Sequence, residues 1–350
     1  MPDRQAPFEI AGETVPAGTR RALTLDLPGQ SAYTPLSMPI YVVHGRTAGP
    51  TLFLSAAIHG DEITGIDVIR RVLRTKALAR MRGTLICAPI VNVFGYSNHT
   101  RYLPDRRDLN RSFPGSATGS LAARVAHVFI TEVVRRASHG IDLHSGANNR
   151  TNLPHIRADL DDPETERLAR AFGTPIAINA NLRDGSLRHA ARDLGVPILL
   201  YEAGEALRFD PLASRAGVRG VLGVMRALAM LPPEKKRKTP EVIEAVASAW
   251  VRAPCSGLLH SSVALGARVE KGGALGLVGD AFGEADATVT SPYTGIVVGR
   301  TNLPVVNEGD ALYHIARFND SAGVESALET WQQDHIEGLT LADYVEPDLN

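Results

Sequence analysis

Two histidines and two glutamates of this chain stand where strands are predicted to end. Residues 51–69, TLFLSAAIHGDEITGIDVI, begin as an apolar, β-favouring run from Leu52 to Ile58. They pass through His59-Gly60-Asp61-Glu62 and continue with helix-spaced Ile63, Ile66 and Ile69. The pattern is strand, tight turn, helix. An imidazole and a carboxylate three positions apart can converge just beyond a strand's carboxyl end, where open α/β sheets hold ligands. H-x-x-E alone also suits a solvated turn, so its companions decide. Residues 140–145, GIDLHS, alternate so that Asp142 and His144 share one face and Ile141 and Leu143 the other. Residues 196–202, VPILLYE, form a second apolar run that delivers a carboxylate at its end.

His59, Glu62 and His144 make a two-histidine, one-carboxylate set. Catalytic Zn²⁺ commonly takes three such ligands and keeps a position for water. A short first spacing and a distant third ligand are what two neighbouring strands would supply. Other histidines, His127, His260 and His314 among them, fall in patterns suited to structural or surface roles. Only two cysteines occur, Cys87 and Cys255, so neither a disulfide framework nor a cysteine zinc site is available. A metal-activated water needs a base nearby that does not ligate, and Glu202 is the candidate because its strand ends in the same place. Glu205 is the rival, placed past Gly204 on an expected exposed turn. Cations for a developing oxyanion and an anionic substrate come from one loop, as Arg101 and as Arg111 in the run Asp108-Leu109-Asn110-Arg111. An arginine fork beside an asparagine amide suits bidentate carboxylate binding. Asp108 could instead orient a ligand histidine through its second nitrogen, and Arg106 and Arg107 are taken as solvated charge.

These groups need a large α/β frame, and 350 residues suffice for one such domain plus a smaller one. Hydrophobic residues make up 44% and charged ones 21%, and the net charge of -1 offers no field for nucleic acid or an anionic membrane. A small substrate fits better. The first residues show no signal pattern and no apolar run approaches a membrane span, so a soluble, cytoplasmic protein is expected. Strands are predicted at 22–27 and 37–44, a pattern compatible with a hairpin at one sheet edge, then at 51–58, 84–90, 140–145, 175–179 and 196–202. Helices are predicted at 66–79, 120–136, 163–172, 186–194 and 211–231. The loop 92–115 is too long and polar for a plain connector.

The domain reading is a hydrolase domain over 1–231, a linker at 232–247 built on PPEKKRKTP, a β-barrel sandwich at 248–320, and a C-terminal helix and tail at 321–350. In the third part Ala253-Pro254-Cys255-Ser256-Gly257-Leu258 is echoed by Ser291-Pro292-Tyr293-Thr294-Gly295-Ile296. This duplication implies two related halves, similar to biotinyl/lipoyl-type domains. The hairpin at 279–287 has no lysine to carry a group, and Lys271 lies in another turn, so a structural module is expected.

The ordered motifs H-G-D-E, R-Y…D-L-N-R-S-F-P-G, D-L-H-S-G and Y-E-A-G resemble the succinylglutamate desuccinylase/aspartoacylase family, related to zinc carboxypeptidases, over roughly residues 51–231. The resemblance implies a carboxypeptidase-like central mixed sheet flanked by helices. It implies one Zn²⁺ per chain on His59, Glu62 and His144, with Glu202 as general acid/base. It assigns Arg101 to the oxyanion, Asn110 and Arg111 to a substrate carboxylate, and Asp108 to the shell behind His59. Pro104 to Arg107 lengthen the gap between the arginine and the D-L-N-R run beyond that of the best-known members. Arg188, upstream of the Glu202 strand, is offered for a far carboxylate on the acyl group. The expected activity is removal of an acyl group from a small anionic N-acyl amino acid. The alternatives are a carboxypeptidase trimming peptides or poly-amino-acid tails and a non-catalytic metal- or ligand-binding protein. Homo-oligomers are compatible with the sequence.

Overall fold

The computed structural model describes residues 5–31, 34–233, 242–284, 286–319 and 321–336. A large mixed sheet carries the active region, and its centre is parallel. Thr51–Ala56 pairs with Thr84–Ala88 on one side and with His139–Gly146 on the other, and Ile198–Glu205 joins in parallel beyond His139–Gly146. Both faces of these strands are covered, which is why 52–58 and 196–202 read as apolar runs rather than alternating ones. On one face Thr64–Arg74 and Pro211–Ala227 bury Val68, Val72 and Val221 against Leu54 and Leu143. Gly65 lets the first of these helices approach, since a Cβ there would stand 2.6 Å from that of Leu143. On the other face Leu121–Glu132 sets Phe129 edge-on to Phe53, ring centroids 5.9 Å apart.

The early pair is an antiparallel hairpin at the sheet edge, Thr19–Ser31 with Thr34–His44, joined to the centre through Thr84–Ala88. Other expected elements appear with ends moved by a few residues. The 66–79 helix is Thr64–Arg74 followed by a 3-10 turn at Lys76–Arg80, and the 211–231 helix is Pro211–Ala227. Pro163–Phe172 has the expected bounds, capped by Asp162 and closed by left-handed Gly173.

One strand has no counterpart in the sequence reading. Arg150–Ala158 lies antiparallel to Ile198–Glu205, and Pro154 interrupts its alternation. Glu202 faces His155 and Gly204 faces Asn152, so Ala203 alone opposes Leu153 and Pro154. That is a β-bulge, the place a strand tolerates proline and one that re-aims side chains. Ile156 and Ala158 pack into the core, while both Asn152 and His155 reach the opposite, polar side.

The C-terminal unit is antiparallel. Gly257–Ser261, Ala274–Gly279 and Asp286–Thr290 form a small sheet with Val305–Val306. It encloses Leu259, Leu275 and Val278 with Val297, Leu312 and Ile315 of the facing strands. Those facing strands, Gly295–Thr301, Ala311–Arg317 and Ala247–Arg252, continue the large sheet, because Gly299 pairs with Asn152 and Arg300 with Thr151. The helix Ser321–Ile336 docks back through Trp331, whose indole N–H donates to the Gly173 carbonyl at 3.0 Å. Most of the basic linker, 234–241, and the tail from 337 lie outside the described residues. Among the described residues no helix is long and apolar enough to cross a membrane.

Candidate active site

The turn after Thr51–Ala56 closes with the Glu62 N–H donating to the His59 carbonyl at 3.0 Å. Gly60 is required there, because a Cβ would overlap the Gly95 carbonyl carbon at 2.0 Å. His144 arrives from the neighbouring parallel strand. Glu62 sits between the two rings, with Oε1 2.7 Å from His59 Nδ1 and Oε2 2.7 Å from His144 Nδ1. All three side chains are buried, and their ligand atoms lie within 4.8 Å of one another.

Each ring is held from behind by a second carboxylate. His59 Nε2 lies 3.2 Å from Asp108 Oδ1, and His144 Nε2 lies 2.8 Å from Asp142 Oδ2. Asp142 is in turn fixed by the Ser55 hydroxyl, which donates to its Oδ1 at 2.8 Å. Burial opposes charge on both histidines, yet Glu62 with Asp108 raises the pKa of His59, and Asp142 with Glu62 raises that of His144 well above its ordinary value. Burial likewise opposes charge on Glu62, but the two imidazoles hold it below the usual carboxylate range. Two inward ring nitrogens around one carboxylate, backed by two further acids, call for positive charge at their centre. This donor set fits a divalent cation of the zinc type.

The cluster opens on a cavity of about 260 Å³. Glu202 lines it from the next strand, in register with His144. Its Oε2 accepts from the Asn152 amide at 2.9 Å, and burial raises its pKa despite the pull of His144. Glu205 is turned elsewhere, accepting from the Asn149 N–H at 3.1 Å and the Asn302 amide at 2.9 Å. It ties the C-terminal strands to the sheet and does not line the cavity.

Arg101 reaches the cluster despite the longer loop. Its guanidinium donates to Glu62 Oε1 and to Asp108 Oδ2, both at 3.1 Å, while Arg106 and Arg107 are exposed. Asn110 and Arg111 belong to a 3-10 turn, Leu109–Arg111. The Asn110 side-chain oxygen accepts the Leu187 N–H at 2.9 Å, which directs its NH₂ as the donor, and both residues line the cavity. Arg188 lines it too, buried, with one N–H on the Ala180 carbonyl at 3.2 Å. Burial, with Arg157 nearby, pushes Arg188 down to about 10.

Several cavity residues carried no signal in the sequence. Asn152, His155 and Arg157 come from the bulged strand, and Arg183 from the segment before the Leu187–Arg192 helix. Trp250 and His314 come from the C-terminal strands, stacked at 4.8 Å and 9°, with Arg150 5.2 Å from the Trp250 ring centre. His314, expected to be structural or superficial, is part of the wall. Asp142 was legible as a neighbour of His144 on the same strand face, but not as its anchor.

A mixed sheet flanked by helices on both faces, with a buried His-Glu-His cluster at its strand ends, defines a carboxypeptidase-like α/β frame. The chain belongs to the family described as the succinylglutamate desuccinylase/aspartoacylase catalytic domain, which matches residues 48–228. It is 29% identical over 312 residues, 84% of this chain and 90% of the relative, to an N-alpha-acetyl-L-2,4-diaminobutyric acid deacetylase from Halomonas elongata. The fold is shared with a product-bound ectoine utilization protein from Ruegeria pomeroyi at TM-score 0.78 and 24% identity, covering 85% of this chain and 95% of that one. A succinylglutamate desuccinylase/aspartoacylase from Rhodobacter sphaeroides superposes at TM-score 0.75 and 25% identity, covering 85% and 96%.

Proposed function

We propose that this chain is a zinc-dependent amidohydrolase that removes the acyl group from a small anionic N-acyl amino acid. The observation that carries it is the buried His59–Glu62–His144 cluster with Glu202 in register one strand away. Held by those three residues, zinc would supply Lewis acidity and lower the pKa of a water at the cluster. Glu202 takes the proton from the attacking water and returns it to the nitrogen of the departing amine. Its raised pKa suits both transfers, since a carboxylate in the ordinary range would hold the proton too weakly to deliver it. Arg101 donates to the oxygen on which negative charge develops. Asn110 and Arg111 grip a carboxylate through their N–H groups, Asp108 orients His59, and Arg188 faces a second anionic group.

Two further observations support this over a peptide-trimming carboxypeptidase. Trp250 and His314 wall the cavity from the C-terminal strands, which suits a small substrate better than an extended chain. The Halomonas relative is named as a deacetylase of an amino acid. That amino acid bears a second amine, whereas Arg101, Arg111, Arg150, Arg157, Arg183 and Arg188 all line this cavity, so an anionic side group is the better match here.

Purified protein loaded with zinc, tested on N-acetyl, N-succinyl and N-formyl amino acids and on short peptides, decides the matter. Amide hydrolysis that a chelator abolishes and added zinc restores is expected. Activity confined to peptides, or none on any of these substrates, would overturn the proposal.

A further inference from the structure

Among the described residues, His155 is the one lining the cavity with a buried side-chain atom that has no hydrogen-bond partner. Its Nδ1 lies 2.6 Å from the Leu153 carbonyl oxygen. A carbonyl only accepts, so Nδ1 carries the proton and Nε2 is left as a bare lone pair. That Nε2 is fully buried and has no hydrogen-bond partner among the described residues, although the side chain lines the cavity and is 1% exposed. An unpaired buried acceptor is costly and calls for a partner from the ligand or solvent.

The surroundings restrict what that partner is. Arg157 stands two residues on, projecting from the same strand face as His155. Arg157, Arg183 and Arg188 line the cavity and meet no carboxylate in an ion pair among the described residues. Three guanidiniums without an ion-paired carboxylate, on which Glu202 and Asp142 act only at a distance, repel an ammonium and attract a carboxylate. Burial keeps the imidazole neutral and, with Arg157 adding to it, pushes His155 down to about 4. A neutral acceptor beside such cations is complementary to an uncharged O–H or N–H standing next to an anion.

We propose that His155 and Arg157 form a composite subsite for a carboxylate that has a neutral hydrogen-bond donor, a hydroxyl or an amide N–H, beside it. The position follows from register. Glu202 pairs with His144 on one side and with His155 on the other, so His155 lies two strand spacings, roughly 10 Å, from the metal-type cluster. That distance suits the non-reacting end of a substrate whose amide sits by Glu202. The inference rests on the amidohydrolase assignment only for the meaning of the subsite, since the subsite itself is testable by binding alone.

The test uses two free dicarboxylates of equal length, succinate and its 2-hydroxy analogue malate. Each is titrated calorimetrically into the zinc-loaded protein, with no turnover involved. Malate is expected to bind about tenfold or more tightly, because succinate leaves Nε2 unpaired. His155→Phe should remove the preference by weakening malate alone, and Arg157→Gln should weaken both ligands together. Equal affinities in the unaltered protein would overturn the proposal without any variant. So would a malate preference that survives in His155→Phe, since the hydroxyl would then be read elsewhere. A protein that discriminates the two acids yet hydrolyses no N-acyl amino acid would retain the subsite and lose the proposed reaction.

Discussion

The side-chain amide of Asn152 donates to Oε2 of Glu202 at 2.9 Å, across a bulge between two antiparallel strands. A donor on the charged form favours ionisation, while burial works the other way and raises the Glu202 pKa. Asn152→Ala should therefore raise it further. In the proposed reaction turnover requires ionised Glu202, so activity should rise with pH through this pKa. The acid limb of kcat/KM is expected to move to higher pH by about one unit. A pH–rate profile with an unmoved acid limb would detach Asn152 from the base.

Gly299 sits opposite Asn152 on one side and His314 on the other. A Cβ at this position would stand 2.8 Å from Asn152 Oδ1 and 3.3 Å from the His314 Cβ. The amide is the softer neighbour and would swing away from Glu202. Gly299→Ala should lower kcat/KM about tenfold, equivalent to about 1.4 kcal/mol, while metal content measured on the same sample stays at the level of the parent.

The buried His59–Glu62–His144 cluster and Glu202 were legible because each sits on or just past a strand whose apolar or alternating pattern announces its end. The His59 turn follows 52–58, and Glu202 closes 196–202. Side chains on the second half of the cavity were not. Pro154 breaks the period of Arg150–Ala158, so neither the strand nor the direction of Asn152 and His155 could be read from alternation. His314 reaches the cavity through pairing with Gly299, and Trp250 through pairing with His314, a register that no local pattern encodes. The repeated turn units did announce the antiparallel C-terminal unit, but not that its strands would extend the main sheet.

Asp142 and Asp108 hold the outer nitrogens of His144 and His59 at 2.8 and 3.2 Å. Anchors of this kind fix the ring and raise its basicity toward a metal, and their loss typically weakens metal affinity 10- to 100-fold. Asp142→Asn should cost more than Asp108→Asn. Asp142 is fully buried, while Asp108 is partly exposed and shared with Arg101. Competition against a zinc-binding dye would give the order, and equal affinities in both variants and the parent would rule out the anchoring role.

Glu202→Gln keeps the volume of the side chain and removes its ability to accept a proton. If Glu202 moves protons without binding the metal, the variant should hold zinc at parental stoichiometry and lose turnover by about 10²–10⁴-fold. Loss of zinc in parallel with activity would make Glu202 a ligand instead. Undiminished hydrolysis would remove it from the chemistry and shift attention to another acid.

His314 gives the chain a dependence on acid that is separate from the reaction. Burial, reinforced by His155 and Arg157, pushes His314 down to about 3, against 6.5 for the unfolded ring. Between those values the unfolded chain binds the proton and the folded chain does not. Stability is thus fully present above about pH 6.5 and is lost as pH falls toward 3. Replacing His314 by glutamine, which cannot titrate, should flatten this fall by on the order of 2 kcal/mol between pH 7 and 4. The comparison belongs on chelator-treated protein, so that metal release does not add its own acid step to both curves. Denaturant midpoints of parent and variant should converge as the pH is lowered, and a constant offset between them across that range would show that His314 is not held neutral.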